Sequence, residues 1–149
     1  MRFSTKVRWL IVFMCGLFLF LDQFFKWQVT HAWHKSVSLL PYIKWEPYLN
    51  QGAAFGLPIP NWLILLFTLA IITLLIIIIK IEKNKQIQFL AWLLIFTGAT
   101  SNFIDRLFHN YVIDYLAIAT GIINIADVLI VSGLGLYLLT NLKKTKSQF

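Results

Sequence analysis

WLILLFTLAIITLLIIII, Trp62 to Ile79, carries no Asp, Glu, Lys, Arg, Gly or Pro. A hydrocarbon layer of roughly 30 Å takes about 20 helical residues to cross, and this stretch is long enough and apolar on every face. Working outward, Ile87 to Ile104 and Trp9 to Leu21 are equally free of charge, and Ile122 to Leu142 is interrupted only by Asp127. The first of the chain's apolar runs is short unless it continues through Asp22 towards Lys26. A chain of 149 residues that is 59% hydrophobic and 13% charged has too little interior to hide four such segments from water. Lipid offers no hydrogen-bond partners, so each span closes its backbone bonds internally as a helix. The expectation is an all-α integral membrane protein, one domain over residues 1–149, with four transmembrane helices near 9–26, 62–79, 87–104 and 122–142.

The net charge of +7 comes from thirteen basic residues whose placement is informative. Arg2, Lys6 and Arg8 precede the first span, Lys80, Lys83 and Lys85 fill the turn between the second and third, and Lys143, Lys144 and Lys146 follow the fourth. Basic residues accumulate on the cytoplasmic side, which puts both termini there and leaves two connections outside. Nucleic-acid binding would need the same charges gathered on one soluble face. The basic N-terminus followed by an apolar run could pass for a cleavable leader, but Phe13 and Met14 before Cys15 are not the small residues that a lipoprotein-type cleavage site requires. A single cysteine excludes an internal disulfide, and Cys15 reads as a buried mid-span thiol. His31 and His34 lack a third ligand nearby, so they read as interfacial residues and no metal site is expected.

The first outer connection, Val29 to Asn61, holds the prolines and alternates aromatic and polar residues without a helical period. Trp33, Tyr42, Trp45, Tyr48 and Trp62 suit the headgroup level, where an amphipathic ring has one edge in water. The second, Leu107 to Gly121, contains a short apolar stretch, Val112 to Ile118, expected to be strand-like or re-entrant.

The acids carry the most information, because a charge within a span costs roughly 2.5–3.5 kcal/mol on insertion scales. Glu46 and Glu82 fall in connections, whereas Asp22, Asp105, Asp114 and Asp127 lie in or beside apolar sequence. Asp22 and Lys26 are four apart, share a helix face and can pair, with Lys26 snorkelling outward. Asp105 is followed by Arg106, and Asn102 shares a face with Arg106, placed to orient another polar group. Asp114 and Asp127 have no basic residue within a helical turn, so each needs a partner from elsewhere in the fold. Each other is the evident candidate. Two carboxyls sharing a site retain one proton between them, leaving one as base and the other as acid, the pairing of aspartyl proteolysis. Asp127, counted from Ile122, would lie about 8 Å below the outer end of its span at roughly 1.5 Å per residue, with Asn124 on the same face. The plainer alternative is a solvated loop acid at Asp114 and a lone helix–helix hydrogen bonder at Asp127.

Five stretches in order resemble the motifs of the lipoprotein signal peptidase family, also called signal peptidase II: Asp22-Gln23-x-x-Lys26; Asn50-Gln51-Gly52-Ala53-Ala54-Phe55; Gly98-Ala99 with Asn102, Asp105 and Arg106; Val112-Ile113-Asp114-Tyr115; and Asn124-Ile125-Ala126-Asp127. The resemblance implies that Asp114 and Asp127 are the catalytic pair, that Asn50, Gly52, Asn102, Arg106 and Asn124 surround it or contact substrate, and that Asp22 and Lys26 support it. It also implies a substrate, a prolipoprotein whose cysteine carries diacylglycerol, cut on the amino side of that cysteine. A small extracytoplasmic β-like cradle between the first two helices follows too, as does residence in the bacterial inner membrane with the site on the periplasmic side. Membrane lipid is then a partner, and a monomer without cofactor is expected. Ile123 stands where the family favours Phe, and the stretch from Asp114 to Asp127 is short, which implies a tight connection between the two acids.

Overall fold

The computed structural model describes residues 4–52, 59–81, 86–119 and 121–146. In chain order these form α1 (Thr5–His31), β1 (Val37–Leu40), β2 (Ile43–Asn50), α2 (Asn61–Ile81), α3 (Gln86–His109), β3 (Val112–Ile118), β4 (Gly121–Ile123) and α4 (Ile125–Lys146). All four helices are long and apolar enough to cross a membrane. Large apolar side chains such as Phe67, Leu74, Val131 and Leu139 stay exposed on their outer faces, as lipid-facing surfaces do. Ser4 starts α1 by accepting a hydrogen bond from the Val7 amide. The basic residues Arg2, Lys83 and Lys85 lie outside the described residues.

Helix boundaries differ from the expected spans in ways that matter for the site. α1 runs from Thr5 through His31 rather than over 9–26, so Asp22 and Lys26 are mid-helix and the first outer connection begins after His31. α3 continues past 104 to His109 and carries Asp105 and Arg106 within it. α4 begins at Ile125 and not at 122, because Gly121–Ile123 pair as a strand. Asp127 is therefore in the first turn of its helix, and the depth of about 8 Å expected from the sequence is corrected to the helix's N-terminal end.

α3 packs against all three other helices. Its seam with α4 depends on glycine: a Cβ on Gly98 would collide with the Ala126 carbonyl oxygen and come within 2.8 Å of Ile130 Cγ1, and one on Gly133 would lie 2.6 Å from the Ala91 oxygen. Small residues let helix backbones approach where no hydrophobic effect drives association. Gly98→Val is expected to destabilise the fold by about 3 kcal/mol, at the upper end of overpacking costs, and to lower the unfolding temperature in detergent. Gly16→Val, whose Cβ would meet nothing within 4 Å, should leave that temperature unchanged, and equal effects of the two would refute the close crossing.

The expected cradle forms between α1 and α2 as the hairpin β1–β2, and it is completed by β3 and β4 from the second outer connection in one antiparallel sheet ordered β1-β2-β3-β4. Tyr48 faces Asp114, Leu49 faces Ile113 and Asn50 faces Val112 across β2 and β3, with an irregularity between Trp45 and Tyr48. Pro47 falls in that irregularity, where its missing N–H disrupts no ladder bond. Asn110, at φ 66°, turns the chain out of α3 into β3, a left-handed position that asparagine tolerates. Trp45 is not simply a headgroup residue: its ring lies 5.1 Å from Tyr115 and 5.3 Å from Trp33, centroid to centroid, and Phe25 of α1 packs on all three. This aromatic cluster fixes the sheet to the C-terminal part of α1.

Candidate active site

Asp114 and Asp127 arrive from different elements and meet at Asn124. Asn124 precedes α4 and is its N-cap: its Oδ1 accepts from the Asp127 amide at 2.9 Å, while Asp127 Oδ2 accepts from the Asn124 amide at 3.3 Å. That is a reciprocal capping box written in Asn and Asp. The same Asn124 donates through Nδ2 to Asp114 Oδ1 at 2.6 Å. Asn50 Nδ2 donates to the other Asp114 oxygen at 3.1 Å, and Asn102 Nδ2 donates to Asp127 Oδ1 at 2.9 Å. The carboxyls are thus each held by asparagine amides and bridged through Asn124, and they lie near enough that the charge of Asp127 acts on Asp114. The short connection between the acids is accounted for by β3 folding back on β4, with Leu116 opposite Ile123.

A second layer, fully buried, holds the first. Asp22 Oδ1 accepts from the Ile125 amide at 3.0 Å, the Ala126 amide at 3.3 Å and the Tyr115 hydroxyl at 2.7 Å. A carboxylate from α1 therefore satisfies the N–H groups of α4 that its own cap leaves open. Lys26 Nζ lies 2.7 Å from Asp22 and 2.9 Å from Asp105, and donates to Asn102 Oδ1 at 3.0 Å. The expected Asp22–Lys26 pair is present, but Lys26 is 1% exposed, so it does not snorkel. It is drawn inward because two buried carboxylates need one cation. Asp105 likewise takes Lys26, Gln23 and the Ile113 amide as partners rather than Arg106. Ser101 donates to Asp22 Oδ2 at 2.6 Å.

Arg106 reaches across to the first outer connection, its Nη2 donating to the Gly52 oxygen at 3.0 Å, and Gly52 N donates to Asn50 Oδ1 at 3.2 Å. Its Nη1 is buried without a partner among the described residues. Ala53, Ala54 and Phe55 of the expected loop motif lie outside those residues. Burial pushes the Asp114 carboxyl up to about 6, Asn50 opposes this, the charge of Asp127 adds to it, and Lys26 and Asn124 oppose it. A separate apolar pocket of about 470 Å³, lined by residues including Trp33, Lys35, Val37 and Trp45, shares none of these acids or amides.

The family model described as signal peptidase (SPase) II matches residues 14–143. The chain belongs to the signal peptidase II family. It is 35% identical to a lipoprotein signal peptidase of Shewanella sediminis across 97% of this chain and 90% of that one. With a lipoprotein signal peptidase of Photorhabdus laumondii the identity is 32%, across 91% and 88%. A bacterial membrane enzyme solved by the in meso method shares the fold with a TM-score of 0.88, at 23% identity over 99% of this chain and 94% of that one.

Within this signal peptidase II family member every residue singled out from the sequence, Asp22, Lys26, Asn50, Gly52, Asn102, Arg106, Asn124, Asp114 and Asp127, belongs to one connected hydrogen-bonded network. Among the described residues the network also takes in Gln23, Ser101, Asp105 and Tyr115, to which the sequence assigns no role. Gln23 and Tyr115 stood inside the quoted motifs, and Ser101 lies four residues before Asp105 on one face of α3, which was the available signal.

Proposed function

We propose that this chain is an aspartic endopeptidase that removes the signal peptide from diacylglyceryl-modified prolipoproteins, with Asp114 and Asp127 as its acid–base pair. The observation that carries the reading is the convergence of both acids on Asn124, one on its side-chain amide and the other on its backbone amide. Asp127, in the first turn of α4, accepts from Asn102 and from the Asn124 amide and acts as the base. Asp114, raised to about 6 by burial, holds the proton of the pair. A water loses its proton to Asp127 and attacks the scissile carbonyl carbon while Asp114 gives its proton to the carbonyl oxygen. The tetrahedral diol then collapses: its hydroxyl proton returns to Asp114, the proton on Asp127 passes to the leaving amine of the lipidated cysteine, and the C–N bond breaks.

Arg106 Nη1, a buried donor with no protein partner among the described residues, is placed to bind a substrate carbonyl. The three basic clusters support an inner-membrane protein with cytoplasmic termini, which puts the acids at the periplasmic surface. Lipid-modified substrate then enters sideways from the bilayer, and a monomer without metal or cofactor suffices. The test is purified protein in detergent with a diacylglyceryl precursor peptide. The expected products part before the modified cysteine, at a rate insensitive to chelators, and failure to cut that peptide refutes the assignment.

The same assay reads pH. Below about 6 Asp114 keeps its proton, and as pH rises through that value the acid is lost, so kcat/KM is expected to fall with an apparent pKa near 6 that belongs to the pair. Substrate excludes water and favours the neutral carboxyl, so the matching limb of kcat should lie at higher pH. A kcat/KM profile flat from pH 5 to 8 would rule out Asp114 as the acid. For stability the sign is opposite to that of a salt-bridged aspartate. A raised carboxyl binds its proton more tightly when folded, so its contribution is greatest in acid and declines between about 4 and 6.

A further inference from the structure

Tyr115 is one residue after Asp114 on β3, and its hydroxyl is two residues from Asp127 at the other end of its contacts. The hydroxyl donates to Asp22 Oδ1 at 2.7 Å and accepts from the Ile125 amide at 3.1 Å. It is thus bonded at once to the carboxylate that caps α4 and to the first amide of α4 itself. The ring is 3% exposed, and it is held independently of the hydroxyl by Trp45 at 5.1 Å and Phe25 at 5.7 Å. The charges that act on it are those of Asp22 from α1 and Asp105 from α3, which Lys26 joins by its ion pairs; from β2, Trp45 stacks on the ring. The chain between Tyr115 and Ile125 leaves through β3, turns near Ala119 and returns through β4, so the hydroxyl closes that loop at its base.

We propose that Tyr115 is a positioning residue that sets the separation of Asp114 and Asp127, its hydroxyl clamping the strand of one acid to the helix start of the other through Asp22. The inference rests on the reading of those two acids as the reacting pair. A reacting geometry that is wrong by about 1 Å can lower a rate on the order of 100-fold, whereas loss of one hydroxyl from a ring still packed on both faces leaves the fold standing.

The experiment compares purified wild-type chain with Tyr115→Phe on a diacylglyceryl precursor peptide across pH 5 to 9. Tyr115→Phe is expected to lower kcat about 10- to 100-fold, to leave KM within about twofold, and to move the descending limb of the kcat profile, since the two carboxyls no longer share one spacing. Trp45→Phe, which disturbs the same stack without touching the hydroxyl, should lower the unfolding temperature with the limb unmoved. Wild-type kcat and profile in Tyr115→Phe overturn the proposal, and so does a loss of rate that Trp45→Phe reproduces with neither limb displaced. If Tyr115→Phe does not fold, 3-fluorotyrosine at position 115 keeps both bonds and with them the spacing, so kcat within about twofold of wild type and an unmoved limb are expected, and a lost rate or a displaced limb overturns the clamp. Asp114→Asn and Asp127→Asn are assayed beside them. Activity in those two defeats the acid–base reading itself, whereas their inactivity with an unaffected Tyr115→Phe defeats only the positioning role.

Discussion

Asp114→Asn and Asp127→Asn are each expected to lower the cleavage rate by roughly 10²- to 10⁴-fold, the share of the barrier that general acid–base catalysis supplies. The geometry says what else each change does. Asp114 accepts from two amide donors, Asn50 on one oxygen and Asn124 on the other. An asparagine there can accept only on one side, so one of those bonds is lost. Asp127 likewise accepts from Asn102 and from the Asn124 amide, so its amide variant gives up one of these two bonds, a change of about 1 kcal/mol. Both variants should therefore remain folded in detergent, with an unfolding temperature lowered by a few degrees, while cleavage of the lipidated peptide disappears. Cleavage within tenfold of wild type in either one, measured as initial rate per folded molecule, would remove the acid–base pair from the mechanism.

Much of this site was legible because a charge in apolar sequence is a nearly binary signal. Asp22, Asp105, Asp114 and Asp127 stand out from the spans, and the i, i+4 spacing of Asp22 and Lys26 forecasts a pair that the structure contains. Val112 to Ile118 was expected to be strand-like or re-entrant, and it is the strand β3. What was not legible depends on which elements touch. That Lys26 serves Asp105 as well as Asp22 requires α1 and α3 to lie side by side at Ser101, a small residue whose hydroxyl fills the space between them. The start of α4 was misplaced by three residues because Ile122 and Ile123 continue an apolar run with no period that separates strand from helix. The deciding mark was in the sequence: Asn124 followed three residues later by Asp127 is an N-terminal capping pattern, and it places the helix start where it is found. Tyr115 carries no such mark, because a tyrosine beside an acid has no signature until the partner of its hydroxyl, here Asp22, is known.

Lys26→Met is expected to destabilise the protein by about 3–5 kcal/mol, the cost of removing one partner from a buried ion pair. Methionine matches the length of the lysine stem, so packing is nearly kept and the loss is one of charge. Asp22 and Asp105 would remain, each about 1% exposed or less, with no cation between them. Thermal unfolding in detergent should show a large drop, and Lys26→Met combined with Asp105→Asn should recover part of it, because one of the two stranded charges is then gone. An unchanged unfolding temperature in the single variant would mean that the buried triad is not what holds α1 to α3. The rate adds a second reading. Lys26 donates to Asn102 Oδ1 together with Asn124 Nδ2, and Asn102 donates to Asp127, so the lysine is one of two donors that fix which way that amide points. In the double variant, where stability is partly restored, the kcat of the folded fraction should stay low, since Asn102 Oδ1 then has Asn124 as donor without the lysine. Recovery of kcat in step with stability would instead assign Lys26 to the scaffold alone.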